Sequence, residues 1–583
     1  MNIHPVSAKV LGMLLLVFGA GCSSKIDSGA VQAPIKSMNK TSIGKKLREN
    51  DQLPIAERIA LYYRLRREHP ESYTFESEDD LTMYGYSLLW SGKTSEAIEI
   101  FRLLVREFPE SYNVYDNLGE GLLQNGDQDS ALYYYEKSLV LNPENYNAIA
   151  QIKRIRHPES SAEFPAGFDP ELFSKTYPAE AYRQDLEELG KALVRIHPNA
   201  LKFISGEKFW QLIGEKQNQV TDQTTYAEFF WMCDEIIASI GCSHTSTGGF
   251  YFETQMLPVH LRFPVEVRWI DEHLYVVDDS GNAGSVAVGD EIVHINDVSV
   301  KDLMASIYRH IPAQGLIETS KRYVFNDHAT LMIPYALGFP SGYTIGTSNS
   351  APKVVLHQAE HVPDYQEPFQ RPCPENLCLQ FLNQDKTAIL SVASFNYYWW
   401  HNLNEFNQFI DQSFKAIESR PVDHLIIDVR FNHGGSQHSS INLLKYLVDK
   451  PFTYYSESLY NEEEGLQTPA EHPYRGHLFF LIDGIGNSTT GHFMSIVKEL
   501  NLGTIIGEEL GSNGFCTAGQ TTCRLPQTGL EYYVANSTAI SSARSLPADR
   551  GILPDYTVKQ DIDDYLQGRD VVMAFALQLI NSQ

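Results

Sequence analysis

The 583-residue chain lacks the features that would connect it to a bilayer core, to nucleic acid or to a metal. Its longest apolar run near the start, Val10 to Phe18, is too short to span a membrane. Lys and Arg number 46 against 73 Asp and Glu, and this net charge of −27 argues against nucleic acid as a partner. No Cys or His cluster has zinc spacing, so we expect neither a metal nor another cofactor. At this length, several domains are expected.

Residues 1–21 have the charge and apolar pattern of a signal peptide. The segment Gly19–Cys22 then resembles a lipobox, which implies that Cys22 is lipidated and becomes the mature N-terminus. Because Ser23 and not Asp follows, the same resemblance implies a lipoprotein of the bacterial outer membrane that faces the periplasm. The small and polar residues over 22–50 predict a tether for this anchor.

Six cysteines remain after Cys22, and an even number in an exported chain permits disulfides. The sequence leaves their connectivity open. We predict two local pairs, Cys373–Cys378 and Cys516–Cys523.

Residues 51–155 contain an internal helical repeat. At an offset of 34 residues, Gly85 corresponds to Gly119 and Phe101 corresponds to Tyr135. This is the tetratricopeptide period, and arrays of this kind bind peptides or partner proteins. The alternative is that the array only packs against the next domain.

The segment 478–500 combines an apolar strand, a turn, Ser488 and a helical pattern. This order can present a serine hydroxyl at the edge of an α/β sheet, with a helix N-terminus behind it that favours negative charge. The alternative is that Ser488 only caps the helix.

A second apolar strand, Leu425–Val429, is followed by a loop that contains Gly434 and Gly435. Ligands of open α/β sheets bind at the carboxyl ends of the strands. Paired glycines let backbone N–H groups approach a substrate oxygen, as an oxyanion hole requires.

Together these stretches resemble the C-terminal processing (tail-specific) proteases, which include the tricorn core. The resemblance rests on Asp-Val-Arg-Phe-Asn-His-Gly-Gly at 428–435, the serine after a strand and turn, Gly-Thr-Ile-Ile-Gly-Glu at 503–508 and Gly-Ile-Leu-Pro-Asp at 551–555. It implies a multidomain α+β protein that hydrolyses peptide or protein substrates. The implied order is a helical domain at 165–250, a PDZ-like β module at 255–350 and a crotonase-like ββα catalytic domain of the α/β class at 379–575.

The resemblance also implies roles for individual residues. Ser488 is the expected nucleophile. The lysine of the family's Ser–Lys dyad falls on Asn513, so another base is needed. Ser243 and His244 resemble the upstream Ser-His pair of the tricorn-like branch, which makes His244 the expected base and Ser243 the residue that orients it. The expected oxyanion donors are the N–H groups of Thr489 and of Gly434 or Gly435.

The acidic residue behind the histidine is less clearly marked. The glutamate of tricorn-like relatives falls on Ala548, which leaves Asp549 as the nearest substitute. Glu508 competes with it, although a structural turn also explains that glutamate. Residues 396–401 form an aromatic loop that either lines the substrate pocket or packs between domains.

Two other functions stay open at this stage. Thr489-Thr490-Gly491 departs from the family's residues after the serine, which allows a catalytically inactive peptide-binding protein on the same fold. The chain could also be a scaffold lipoprotein whose repeats bind a partner. The PDZ-like module itself could bind extended peptides by strand addition or serve as a structural arm.

Overall fold

The structure, a computed structural model, describes residues 41–143, 145–156, 172–247, 257–279, 281–348, 350–359, 365–371, 373–398, 402–457 and 465–582. The predicted signal peptide, Cys22, most of the tether and residues 399–401 of the aromatic loop lie outside these ranges. Within them, we find no helix with both the length and the hydropathy of a membrane span.

Antiparallel helices form the N-terminal part of the chain. Their bounds are α1 (Ile43–Arg48), α2 (Ile55–Glu68), α3 (Asp79–Trp90), α4 (Thr94–Glu107), α5 (Tyr112–Gln124), α6 (Gln128–Leu141) and α7 (Tyr146–Arg156). The predicted tether is wrong at its end, because α1 lies within it and packs against α3. The reason is that Ile43 and Leu47, one helical turn apart, are both fully buried.

The 34-residue repeat produces the same contact between neighbouring helices at two places in the chain. A Cβ atom on Gly85 would lie 2.4 Å from the ring of Phe101, and one on Gly119 would lie 3.0 Å from the ring of Tyr135. Each glycine therefore lets an aromatic ring of the next helix approach its backbone. The predicted repeat is confirmed by this contact.

A second helical region precedes the β module. Its elements are α8 (Ala179–Ile196), α9 (Gly206–Gln219), α10 (Tyr226–Ser239) and the short strand β1 (Ser246–Thr247). A capping box between Thr225 and Glu228 begins α10. The turn between α10 and β1 carries Ser243 and His244.

The next region is an antiparallel sheet with two helices. Its elements are β2 (Glu266–Ile270), β3 (His273–Asp278), β4 (Glu291–Ile295), β5 (Val298–Ser299), α11 (Val300–Tyr308), α12 (Thr319–Ala336), β6 (Tyr343–Thr347) and β7 (Ser350–Leu356). The strand order is β2-β3-β4-β6-β7, with β5 paired to β4. This is the region predicted to be PDZ-like, and that assignment stays a prediction.

The C-terminal region is built on a mixed sheet with helices on both faces. It begins with β8 (Leu377–Leu382), β9 (Thr387–Val392), α13 (Leu403–Glu418), β10 (His424–Asp428), α14 (Gln437–Lys445), β11 (Phe452–Thr453), β12 (Tyr455–Glu457), β13 (Leu466–Gln467), β14 (His477–Ile482) and α15 (Thr489–Glu499). It continues with β15 (Thr504–Gly507), β16 (Phe515–Ala518), β17 (Thr521–Arg524), β18 (Glu531–Val534), β19 (Ser537–Ser541), β20 (Tyr556–Thr557), α16 (Ile562–Leu566) and α17 (Val571–Asn581).

The six-stranded sheet has the order β20-β15-β14-β10-β9-β8 and is parallel except for the β8–β9 pair. One face packs against α13, α14 and α15, and the other packs against α17. Strands β10 and β14 are neighbours, with Asp428 paired to Leu481. Their carboxyl ends therefore lie side by side, which brings the glycine loop and the Ser488 turn together.

Smaller sheets connect this domain to the helical regions. Strand β1 joins β18 and β17 in a three-stranded sheet, and α7 packs against β17. The histidine turn is thus attached to the C-terminal domain by backbone pairing.

The glycine crossing generates a stability prediction. Gly85→Val should lower the free energy of unfolding of α3 and α4 by about 1–3 kcal/mol, because the new side chain overlaps the Phe101 ring. Amide hydrogen exchange of these helices measures this change. Gly214→Ala in α9 is the control, since no side chain of a described residue lies within 4 Å of its added Cβ atom. Unchanged protection in the Gly85 variant would contradict the packing described above.

Candidate active site

Ser488 has an unusual backbone conformation between β14 and α15. Its φ of 54° and ψ of −121° lie in a region that residues with side chains rarely adopt. The serine precedes α15, but its side chain makes no capping hydrogen bond to that helix. The capping alternative is therefore not supported. A strained strand–turn–helix junction of this kind exposes the hydroxyl for chemistry.

Buried polar side chains hold this turn in place. The Asp483 carboxylate accepts the N–H of Ile485 at 3.1 Å and that of Phe431 at 2.9 Å. Burial raises the pKa of Asp483 to about 7. The carbonyl of Asn432 accepts the N–H of Asn487 at 3.2 Å. These bonds fasten the glycine loop to the Ser488 turn.

The two glycines of the loop have contacts that exclude a side chain. A Cβ atom on Gly434 would lie 2.8 Å from Cβ of Ser488, and one on Gly435 would lie 2.3 Å from the carbonyl carbon of Phe395. The N–H of Gly434 donates to Asn432 Oδ1 at 2.9 Å, so it is already engaged. Gly435 and Thr489 have no acceptor for their N–H groups among the described residues. Of the expected oxyanion donors, these two stay available.

His244 lies beside the Ser488 turn. Ser243 Oγ is 3.3 Å from His244 Nδ1 and donates to Asn487 Oδ1 at 3.1 Å. The same Asn487 oxygen accepts the N–H of Ser488 at 2.8 Å. Burial lowers the pKa of His244 to about 4, so the ring is neutral at pH 7.

Cys516 of β16 lies between the two predicted catalytic groups. Its Sγ is 3.7 Å from His244 Nδ1, and it is within hydrogen-bonding reach of the Ser488 side chain. Burial raises the pKa of the thiol. No hydrogen bond joins the Ser488 hydroxyl directly to the His244 ring in the part of the chain that the structure describes.

Two family models match two separate parts of the chain. The model of peptidase family S41 matches residues 386–558, and the tetratricopeptide-repeat model matches residues 112–145. The chain is a member of peptidase family S41. It carries the catalytic domain of a serine-type peptidase together with tetratricopeptide repeats.

Three individual proteins are similar to shares of this chain that range from 23% to 70%. The photosystem I assembly protein Ycf3 of Rippkaea orientalis (strain PCC 8801 / RF-1) is 30% identical over 140 residues, which are 23% of this chain and 75% of that protein. Mature CPAF is 15% identical, with a TM-score of 0.47 over 70% of this chain and 98% of its own. A putative peptidase from Parabacteroides merdae ATCC 43184 is 14% identical, with a TM-score of 0.40 over 68% of this chain and 96% of its own. The family assignment rests on the match over residues 386–558.

The structure does not bring the carboxylate of Asp549 to the histidine. The backbone carbonyl of Asp549 accepts the N–H of Leu316 at 2.8 Å, but no hydrogen bond or ion pair links its carboxylate to His244 among the described residues. Asn513, at the position of the family's lysine, donates to the carbonyls of Ala548 at 2.8 Å and Arg550 at 2.6 Å. These bonds hold the segment by its backbone and leave the aspartate side chain unassigned.

Glu508, the competing candidate, has a structural role. Its carboxylate accepts the Tyr323 hydroxyl at 2.7 Å and pairs with Arg322 at 2.5 Å. Because both partners belong to α12, this glutamate joins the β module to the catalytic domain.

One predicted disulfide is confirmed and the other is wrong. Cys373 and Cys378 form a disulfide, whereas Cys516 and Cys523 are not bonded to each other and stay thiols. The physical reason is that β16 pairs with β19 whereas β17 pairs with β18, so consecutive strands enter different sheets.

Sequence reasoning missed Cys516 and Asn487 as neighbours of the predicted catalytic groups. The sequence drew attention to Cys516, but the even number of cysteines in the chain pointed to a disulfide and not to a thiol in the site. Two further buried histidines, His197 and His492, each have a pKa lowered to about 4 by burial. Their spacing in the sequence gives no sign that they lie near His244.

The corrected cysteine pairing predicts a thiol count. The fragment that lacks residues 1–22, unfolded without reductant, should react with a thiol reagent at four cysteines. Full reduction should add the two of the Cys373–Cys378 bridge. As a control, Cys378→Ser should raise the unreduced count by one, because it releases Cys373. A count of two thiols before reduction would restore the Cys516–Cys523 bridge.

Proposed function

We propose that this S41 member is an envelope lipoprotein serine endopeptidase of the tail-specific type, with Ser488 as nucleophile and His244 as base. The observation that carries the proposal is the strained backbone of Ser488, which offers no cap to α15 and lies against Gly434. A backbone conformation that costs free energy in this way is a sign of function. His244 is the titratable ring next to it.

In the proposed reaction, the Ser488 oxygen attacks the carbonyl carbon of the scissile peptide while His244 takes the hydroxyl proton. The ring then gives this proton to the leaving amine as the C–N bond breaks, and water hydrolyses the resulting ester by the same exchange. The free N–H groups of Gly435 and Thr489 would hold the oxyanion. Substrate binding has to bring His244 into direct contact with Ser488, a tightening that is common when substrate-free sites become occupied.

Ser243 supports the base in this proposal. Its hydroxyl contacts the His244 ring and donates to Asn487, whose side chain also binds the backbone of Ser488. This chain of bonds links the ring to the nucleophile's turn. Because no carboxylate of a described residue contacts the His244 ring, we propose that Ser243 carries the orienting role and that Asp549 does not.

The remaining parts of the proposal rest on the sequence. Cys22 would carry the lipid anchor, on the periplasmic side of the outer membrane. The PDZ-like module and the repeats would present a peptide or protein substrate, or bind a regulatory partner. A catalytically inactive peptide-binding protein is the second candidate, and the absence of a direct hydrogen bond between Ser488 and His244 in the described structure favours it.

Covalent labelling distinguishes these two functions. A fluorophosphonate probe should label the fragment that lacks residues 1–22, and Ser488→Ala should abolish the labelling because the attacking oxygen is removed. His244→Ala should slow the labelling by about 100-fold or more, which is typical of a lost general base. His472→Ala, at an exposed histidine, is the matched control and should label at the normal rate. Normal labelling of the Ser488 variant would refute the assignment, and no labelling of the wild type would support the binding protein.

The burial of His244 also predicts a pH profile. A base acts only when neutral, and lowering the pKa to about 4 keeps this ring neutral far below the ordinary value of 6.5. The labelling rate should therefore stay high from pH 7 down to pH 5 and fall as the pH passes through about 4. Rates measured in steps over this range test the prediction. A midpoint near 6.5 would show that the base is an exposed histidine, and a higher midpoint would show that it is paired with a carboxylate.

A further inference from the structure

We propose that Cys516 and His244 form a binding site for a soft divalent cation, of which Zn²⁺ is the natural example, and that the bound cation inhibits the peptidase. The inhibition rests on the proposed function, because the bound cation would occupy His244, the base that the reaction needs. Nothing in the family resemblance predicts it, since it depends on a thiol that the sequence assigned to a disulfide.

The separation of the two ligand atoms fits one metal ion. Zinc binds thiolate sulfur at about 2.3 Å and imidazole nitrogen at about 2.0 Å, so a tetrahedral angle places these atoms about 3.5 Å apart. Cys516 Sγ and His244 Nδ1 are 3.7 Å apart. A shift of a few tenths of an ångström in either side chain is therefore enough.

The surroundings favour a soft ion over a hard one. Sulfur and imidazole nitrogen select zinc and similar metals, whereas Mg²⁺ and Ca²⁺ require oxygen ligands. No carboxylate contacts His244 among the described residues. The Ser488 hydroxyl and water can complete the coordination, because Ser488 and His244 are each only half-buried. The described cluster of Cys373, Glu375 and Cys378 is no rival, since its two sulfurs are bonded to each other.

The bound metal would inhibit the peptidase because it occupies the nitrogen lone pair of the His244 ring. The metal forms bonds to Cys516 Sγ and His244 Nδ1, and the thiol proton leaves to solvent. The ring can then no longer accept the proton of Ser488. Because one proton is released, the apparent affinity should rise about tenfold for each pH unit while the thiol remains protonated.

An optical experiment tests binding without any need for catalysis. Cd²⁺ added to the fragment lacking residues 1–22 should produce the ultraviolet charge-transfer band of a cadmium–thiolate bond. Cys516→Ser should abolish this band, and Ser488→Ala should retain it. Cys523→Ser, at another cysteine outside the disulfide, is the matched control and should retain it as well. No band in the wild type, or an unchanged band in the Cys516 variant, would refute the site.

A kinetic experiment tests inhibition. Zn²⁺ should slow fluorophosphonate labelling of the wild type, and a chelator should restore the rate. In Cys516→Ser the concentration needed for half-inhibition should rise at least about tenfold, as is typical when a metal ligand is lost. Equal inhibition of both forms would place the metal elsewhere.

Should the Cys516 variant fail to fold, His244→Ala must weaken the cadmium band instead. A band without any labelling would reject the proposed peptidase function and leave the metal site standing.

Discussion

The close approach of the glycine loop to the Ser488 turn is the constraint on which the site depends. A side chain at Gly434 would occupy the space of Ser488 itself. The strained backbone of the serine costs on the order of 1–3 kcal/mol, and buried hydrogen bonds from Asp483 and Asn432 offset it. The glycine loop and the Ser488 turn lie at the carboxyl ends of adjacent parallel strands, so motifs that are far apart in sequence share one site.

The proposed base, His244, reaches this site from another part of the chain. Thr245, next to His244, accepts the N–H of Ala535 at 3.0 Å, and β1 pairs with β18. The buried Asp185 of α8 accepts the Thr528 hydroxyl at 2.7 Å, which fixes the β17–β18 connection to the helical region. Since α7 packs against β17, one small sheet contacts the repeats, the helical region and the catalytic domain. The position of His244 is therefore a property of the assembled chain.

Local patterns predicted much of the fold and named Ser488 and His244 as candidate site residues, whose roles stay predictions. The strands before the glycine loop and before Ser488, and the repeat that pairs Gly85 with Phe101, have periodic signals that lie within one element. The sequence could not show that β16 and β17 diverge into different sheets, so it paired Cys516 with Cys523. It also could not show where the Asp549 side chain points, because a position in a motif fixes the backbone neighbours and not the contacts of a carboxylate.

Burial keeps both groups beside the serine uncharged at neutral pH. It lowers the pKa of His244 and raises that of the Cys516 thiol, so the resting site contains a neutral ring and a protonated thiol. In a chain of net charge −27, no described carboxylate contacts that ring. Negative charge that develops on a substrate oxygen would then meet only backbone N–H groups and the N-terminus of α15. The same lack of a carboxylate leaves the ring without an anion to stabilise its protonated form. The approach of His244 to Ser488 is therefore the step on which the proposed catalysis depends.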